Sequence, residues 1–219
     1  MTRWAFLLLA AVTSLTAQDL TEQYRAVANR IIEAAKTDED GWRKISYLCD
    51  RIGNRPSGSA ALEQAIDWAI DTMRKDGLDN TRRIAAKVPH WERGQESVAL
   101  VEPVARPLSM LGLGGSIATP PEGITAEVVP VSSFEEMEKL GRDKIAGKIV
   151  LYNVPFAGYG RTVIYRTSGA VRAAKLGAVA TLLRSVGPTS LQTPHTGTMD
   201  YEDGVPKIPA AALTIEGAT

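Results

Sequence analysis

The hydrophobic positions change period along the chain. After residue 18 the spacing is helical. Tyr24, Val27, Ala28, Ile31, Ile32 and Ala35 form one stripe, Trp42, Ile45, Leu48, Cys49 and Ile52 a second, and Leu62, Ala65, Ile66, Ala69, Ile70 and Met73 a third. Apolar residues three and four apart share one helix face, so three amphipathic helices are predicted. Asp76-Gly77 ends the third, and Ser57 or Ser59 is placed to cap its start after Pro56. From about Arg82 the period shortens. Residues 81–88, 97–102 and 106–113 read as strands, with Arg93-Gly94-Gln95 as a hairpin tip between the first two.

The second half alternates strand and helix. Residues 124–131 alternate as a strand does, and Ser133-Phe134-Glu135-Glu136 is a capping box opening a short helix that ends at Gly141. Residues 148–154 are a short apolar run rich in β-branched and aromatic residues, the mark of a buried strand. Gly158 and Gly160 open a loop. Helical spacing from Ser168 places Ala170, Val171, Ala174 and Leu176 on one face, and Gly177 closes the helix. Residues 179–183 form the next buried strand. Strand, crossover helix and strand make a right-handed βαβ unit with a parallel pair. Residues 207–214 read as a last strand, and residues 216–219 as the start of a helix. The chain from about Arg106 is therefore a compact α/β unit. The first half has helices and no complete sheet to cover, which suggests that it is part of something larger.

The N-terminus changes the picture of where the protein works. Arg3 precedes an apolar run from Trp4 to Val12 and a small-residue end at Ala17. This is the pattern of a secretory signal peptide cleaved after Ala17, with an uncleaved anchor as the alternative. The run is too short for a stable bilayer span. A mature protein that is secreted or periplasmic and free of the membrane is expected. Lys+Arg and Asp+Glu balance at 25 each, without a basic run, so nucleic acid is not an expected partner. Cys49 is the single cysteine, so neither an internal disulfide nor a cysteine-rich zinc site can form, and its helical spacing suggests a small core residue.

Candidate chemistry is sparse. The loop and helix start of the βαβ unit carry Arg161, Tyr165 and Arg166. A cation at a helix N-terminus opposes the helix dipole at a cost of ~0.3–1 kcal/mol, so two arginines there point to an anion that they and the free N–H groups share. The alternative is that they are solvated surface charges or pair with carboxylates. The glycines of 112–115 lack the Lys-Ser/Thr of a phosphate loop. A zinc hydrolase needs at least three ligands at workable spacing, and the chain has only His90 and His195, far apart in sequence.

Six segments in order carry a resemblance: 53–59 (GNRPSGS), 89–94 (PHWERG), 119–127 (TPPEGITAE), 165–167 (YRT), 194–197 (PHTG) and 203–209 (DGVPKIP). Together they resemble the carboxypeptidase Q family of secreted zinc exopeptidases. The resemblance implies an α/β fold: the N-terminal piece of an aminopeptidase-like zinc peptidase domain plus an inserted protease-associated domain. It divides the chain into a signal peptide (1–17), an incomplete peptidase segment (18–105) and a protease-associated domain (106–219). It implies hydrolysis of dipeptides or small peptides with free C-termini, a homodimer, and two zinc ions in the full-length family. The family's metal ligands and general base lie beyond residue 219, so no catalytic residue and no zinc ligand is assigned to this chain. More distant membrane-bound glutamate carboxypeptidases place an arginine before the corresponding helix on the substrate α-carboxylate. Counting back from Leu176-Gly177-Ala178 puts Arg166 at that position, with Arg161 a second candidate. The competing reading is a stand-alone protease-associated binding module without catalysis.

Overall fold

The computed structural model describes residues 3–189 and 192–219, with the side chains of residues 3–19 excepted. It divides into two compact units, one ending at His90 and the other running Trp91–Thr219. The boundary expected near 105, between peptidase segment and insert, falls inside the second unit. The hairpin of β1 (Val98–Leu100) and β2 (Arg106–Leu108) straddles that point.

The first unit is helical. α1 spans Arg3–Thr37, α2 Asp40–Tyr47 and α3 Ala60–Lys75. The proposed leader of 1–17 includes residues and side chains outside the described set; its backbone from Arg3 onward lies in α1. Among the described residues no helix is long and apolar enough to cross a membrane. After α2 the chain widens into a π-turn, Leu48–Ile52, closed by Gly53 N–H on the Leu48 carbonyl at 2.9 Å. The Arg55 guanidinium donates a second hydrogen bond to that same carbonyl, at 2.6 Å, and one to the Gly53 carbonyl just past the turn. Ser59 caps α3 by accepting from Leu62 N–H at 3.1 Å. Tyr47 stacks on Trp68 with centroids 5.2 Å apart, and Lys44 bridges Asp40 and Asp76. Yet Ala65 is the only buried apolar residue of this unit among the described side chains. The stripes of α1 and α2 stand in solvent. Cys49, expected in the core, is exposed, because its stripe is only partly covered: Leu48 and Ile52 are half-buried while Trp42 and Ile45 face solvent.

Residues 81–88 form no strand. Alternation alone does not make one: a strand needs a hydrogen-bonding neighbour, and Ile84 and Val88 remain exposed. Nor is 93–95 a hairpin tip. Arg93 and Glu96 instead grip Gly112, the guanidinium donating to its carbonyl at 2.9 Å and the carboxylate accepting its N–H at 3.1 Å. The predicted strand at 106–113 is two strands. β2 pairs with β1, and after Ser109 the chain changes sheets to form β3 (Met110–Gly112).

The main sheet has five strands in the order β3-β7-β6-β5-β4. β4 (Val128–Val131), β5 (Ile149–Tyr152), β6 (Ala180–Arg184) and β7 (Ala210–Leu213) run parallel, and β3 closes one edge antiparallel to β7. The predicted βαβ unit is present, with Ile149 opposite Ala180 and Tyr152 opposite Leu183. Its crossover helix starts earlier than Ser168: α5 (Tyr159–Thr162) leads directly into α6 (Ile164–Lys175). Thr162 explains the start, since its hydroxyl donates to the Gly158 carbonyl and accepts from Ala157 N–H. At the far end Gly177, at φ +84°, makes a Schellman closure, with Ala178 N–H on Ala173 and Gly177 N–H on Ala174. α4 (Phe134–Ile145) is broken at Gly141, where φ is +69°, as the capping-box reading placed its end; a second short helical stretch follows. α4 and α6 cover the sheet through Phe134, Met137, Ile145, Ala170, Ala173 and Ala174, packed with Val150, Tyr152 and Leu183.

Candidate functional site

Arg166 and Tyr165 are adjacent on α6 and face different surroundings. Tyr165 packs into the core cluster, its ring centroid 4.4 Å from that of Phe134. Arg166 is only 8 % exposed. It does not sit at a free helix N-terminus: its N–H already donates to Val163. Contrary to the expected helix-terminus site, Arg166 therefore offers an anion its side chain rather than a free backbone N–H.

That side chain is held by neutral oxygens. Nε donates to the Thr198 carbonyl at 3.3 Å and Nη2 to the Tyr159 hydroxyl at 3.1 Å. The guanidinium carbon lies 5.7 Å from the centre of the Tyr159 ring. On another side it lies against the backbone of Gly197, where a Cβ would fall 2.5 Å from Cζ. Among the described residues no carboxylate forms an ion pair with Arg166. Desolvating a charge without an opposite partner costs of order several kcal/mol, and neutral acceptors return only part of it. An incoming anion would recover the remainder.

The residues opposite belong to the loop 194–198, which is tied to the sheet. His195 N–H donates to Ser185 Oγ at 2.7 Å, and that hydroxyl donates to the Leu213 carbonyl. The Thr196 hydroxyl donates to the Gly112 carbonyl at 2.8 Å, and Gly114 N–H to the Gly197 carbonyl at 2.8 Å. The His195 ring meets the Tyr159 ring edge-on, with centroids 6.1 Å apart. Arg161 is exposed on α5, and no contact among the described residues brings it to the Arg166 guanidinium. Tyr159 and Gly197 went unnoticed as site residues in the sequence. The usable signal was the glycine following Pro194-His195-Thr196, where a side chain has no room.

The two histidines have separate local roles. His90 Nδ1 lies 3.3 Å from the Ser57 carbonyl, and His195 flanks Tyr159. Among the described residues no three His, Cys, Asp or Glu side chains gather as metal ligands do. The described residues therefore do not fit a zinc site.

No family model matches the chain. Curated relatives do: carboxypeptidase Q of Xenopus laevis is 50 % identical over 198 residues, which cover 89 % of this chain and 42 % of that protein. Carboxypeptidase Q of Homo sapiens is 45 % identical over 213 residues, covering 94 % of this chain and 45 % of that protein. This chain is a relative of the carboxypeptidases Q. It spans less than half the length of those curated relatives. A solved peptidase M28 precursor from Shewanella amazonensis superposes with a TM-score of 0.82 at 33 % identity, over 90 % of this chain and 46 % of the other. A zinc aminopeptidase from Bacillus subtilis, at 22 % identity and a TM-score of 0.51 over 81 % of this chain and 39 % of its own, shares the fold. The two structural matches thus give the α/β chain an aminopeptidase-like fold.

Proposed function

We propose that this chain is the N-terminal part of a secreted zinc exopeptidase of the carboxypeptidase Q type, cleaving dipeptides and small peptides with free C-termini. The buried, carboxylate-free Arg166 carries this reading. A guanidinium offers paired N–H donors that match a carboxylate, so Arg166 is assigned to the substrate's terminal carboxylate. Arg161 is a weaker, outer candidate by its exposure. Residues 106–219 serve as a protease-associated domain bearing that arginine. Residues 18–105 serve as peptidase scaffold, and their uncovered apolar stripes match a segment that further polypeptide completes. The zinc ions, their ligands and the general base belong to that further polypeptide, and the complete protein acts as a homodimer outside the cytoplasm. A second reading is favoured by one observation: the described core lies almost wholly in the second unit, as it would in a self-sufficient binding module.

The deciding experiment is kinetic. In the full-length protein, Arg166→Ala should raise KM for free-acid dipeptides by roughly 10- to 100-fold, the loss of a charge-assisted pair, and leave C-terminally amidated dipeptides unaffected. Equal KM values for wild type and variant on free-acid substrates would sink the assignment.

A further inference from the structure

The guanidinium of Arg166 has two edges, and the protein occupies one. Nε and Nη2 share the side edge, and both donate along it, to the Thr198 carbonyl and the Tyr159 hydroxyl. Nη1 has no hydrogen-bond partner among the described residues. Since no buried polar side-chain atom among the described residues is left unsatisfied, Nη1 is not fully enclosed by the protein. The two partners are neutral, so they fix the group's orientation without cancelling its charge. Gly197 sets its seat, because a Cβ there would fall 2.5 Å from Cζ and 2.7 Å from Nη1. The Gly197 backbone is in turn anchored by Gly114, and the neighbouring residues by Ser185 and Gly112. It has little freedom to retreat.

We infer that Tyr159 and Gly197 are positioning residues that hold Arg166 by its side edge and present its Nη1/Nη2 end to a single terminal carboxylate. This deepens the assignment of Arg166 and rests on it. A guanidinium free to turn would pay for its ordering on each binding event; one already held does not. Tyr159 contributes through a hydroxyl that accepts one hydrogen bond, with its ring steadied by His195. Gly197 contributes by lacking a side chain.

The test separates the clamp from the carboxylate assignment. The 219-residue chain is labelled for NMR of arginine side chains, and wild type, Tyr159→Phe and Gly197→Ala are compared. Without ligand, the Arg166 Nη resonances should show slowed rotation in wild type and fast, averaged rotation in Tyr159→Phe. Titration with N-acetylglycine should shift the wild-type Arg166 signals, N-acetylglycinamide should not, and both variants should bind about tenfold more weakly. The exposed Tyr159 loses only an oxygen, so Tyr159→Phe answers the question even if Gly197→Ala fails to fold. Unchanged rotation and affinity in Tyr159→Phe overturn the clamp while leaving the carboxylate assignment standing. No response of wild type to N-acetylglycine overturns that assignment, and the clamp's purpose with it.

Discussion

Arg166 and Gly169 sit three residues apart on α6 and show how differently a buried helix residue can be constrained. Gly169 is there for Tyr152. The tyrosine hydroxyl donates to the Gly169 carbonyl at 2.8 Å and contacts Met137 Sδ at 3.1 Å. A Cβ on Gly169 would fall 2.7 Å from Tyr152 Cε2. Burial of Tyr152 pushes its hydroxyl well above the usual phenol range, so it stays a neutral donor. Because Tyr152 is packed between Phe134 and Tyr165, it cannot simply swing away. Gly169→Ala should therefore destabilise the fold by about 1–3 kcal/mol, the usual cost of overpacking, despite alanine's better helix propensity; urea unfolding measures it. A stabilised variant would show that Tyr152 can move. At this scale the arginine was legible in the sequence as a cation at the start of the crossover helix. Its neutral partners were not, because Tyr159 and Thr198 meet it only after the chain folds back.

Among the elements, α4 carries its own pH dependence. Ser133 Oγ accepts from Glu136 N–H at 3.0 Å, and the Glu136 carboxylate accepts from both the hydroxyl and the N–H of Ser132. Those bonds, the Ser132 hydroxyl first, hold Glu136 below the ordinary glutamate value of 4.5. Glu135 is lowered too, by its own backbone N–H and then by the Ser133 hydroxyl. A folded-state value below the unfolded one means stability that is fully present above the unfolded value and lost as pH falls through the folded one. Thermal unfolding followed from about pH 7 down to about pH 3 should show Tm falling below the ordinary carboxylate range in wild type. The fall should be shallower in Glu136→Gln. An identical slope would remove Glu136 from the account. The capping box itself was readable from four residues. In the structure the glutamate reaches Ser132, one residue before the cap, because two donors there outcompete one. The strand expected at 81–88 failed for the opposite reason: its alternation was local, but the partner it needed was not.

For the whole molecule, burial is uneven. The second unit has a mostly parallel sheet under two helices. The first exposes Tyr24, Val27, Ile31 and Ile32 on α1 and Trp42 on α2, the last at 74 %. Local stability follows buried contacts, so limited proteolysis of the chain should cut first within 79–97, which has no regular secondary structure. Peptides from β5, α6 and β6 should survive longest. Early loss of β5 or β6 peptides would contradict this distribution of stability. The amino-acid sequence alone determined the helical stripes, the βαβ unit, the stops at Gly141 and Gly177 and the kinship carried by its short motifs. Each depends on residues close together along the chain, where periodicity and turn chemistry act directly. Tertiary structure alone decided that the crossover begins with α5, nine residues before Ser168, that the chain changes sheets at Ser109, that Cys49 is exposed, and that Arg166 is buried between a tyrosine hydroxyl and a glycine. Those outcomes depend on which distant groups are available to pair with or to cover a residue, and local periodicity carries no record of that.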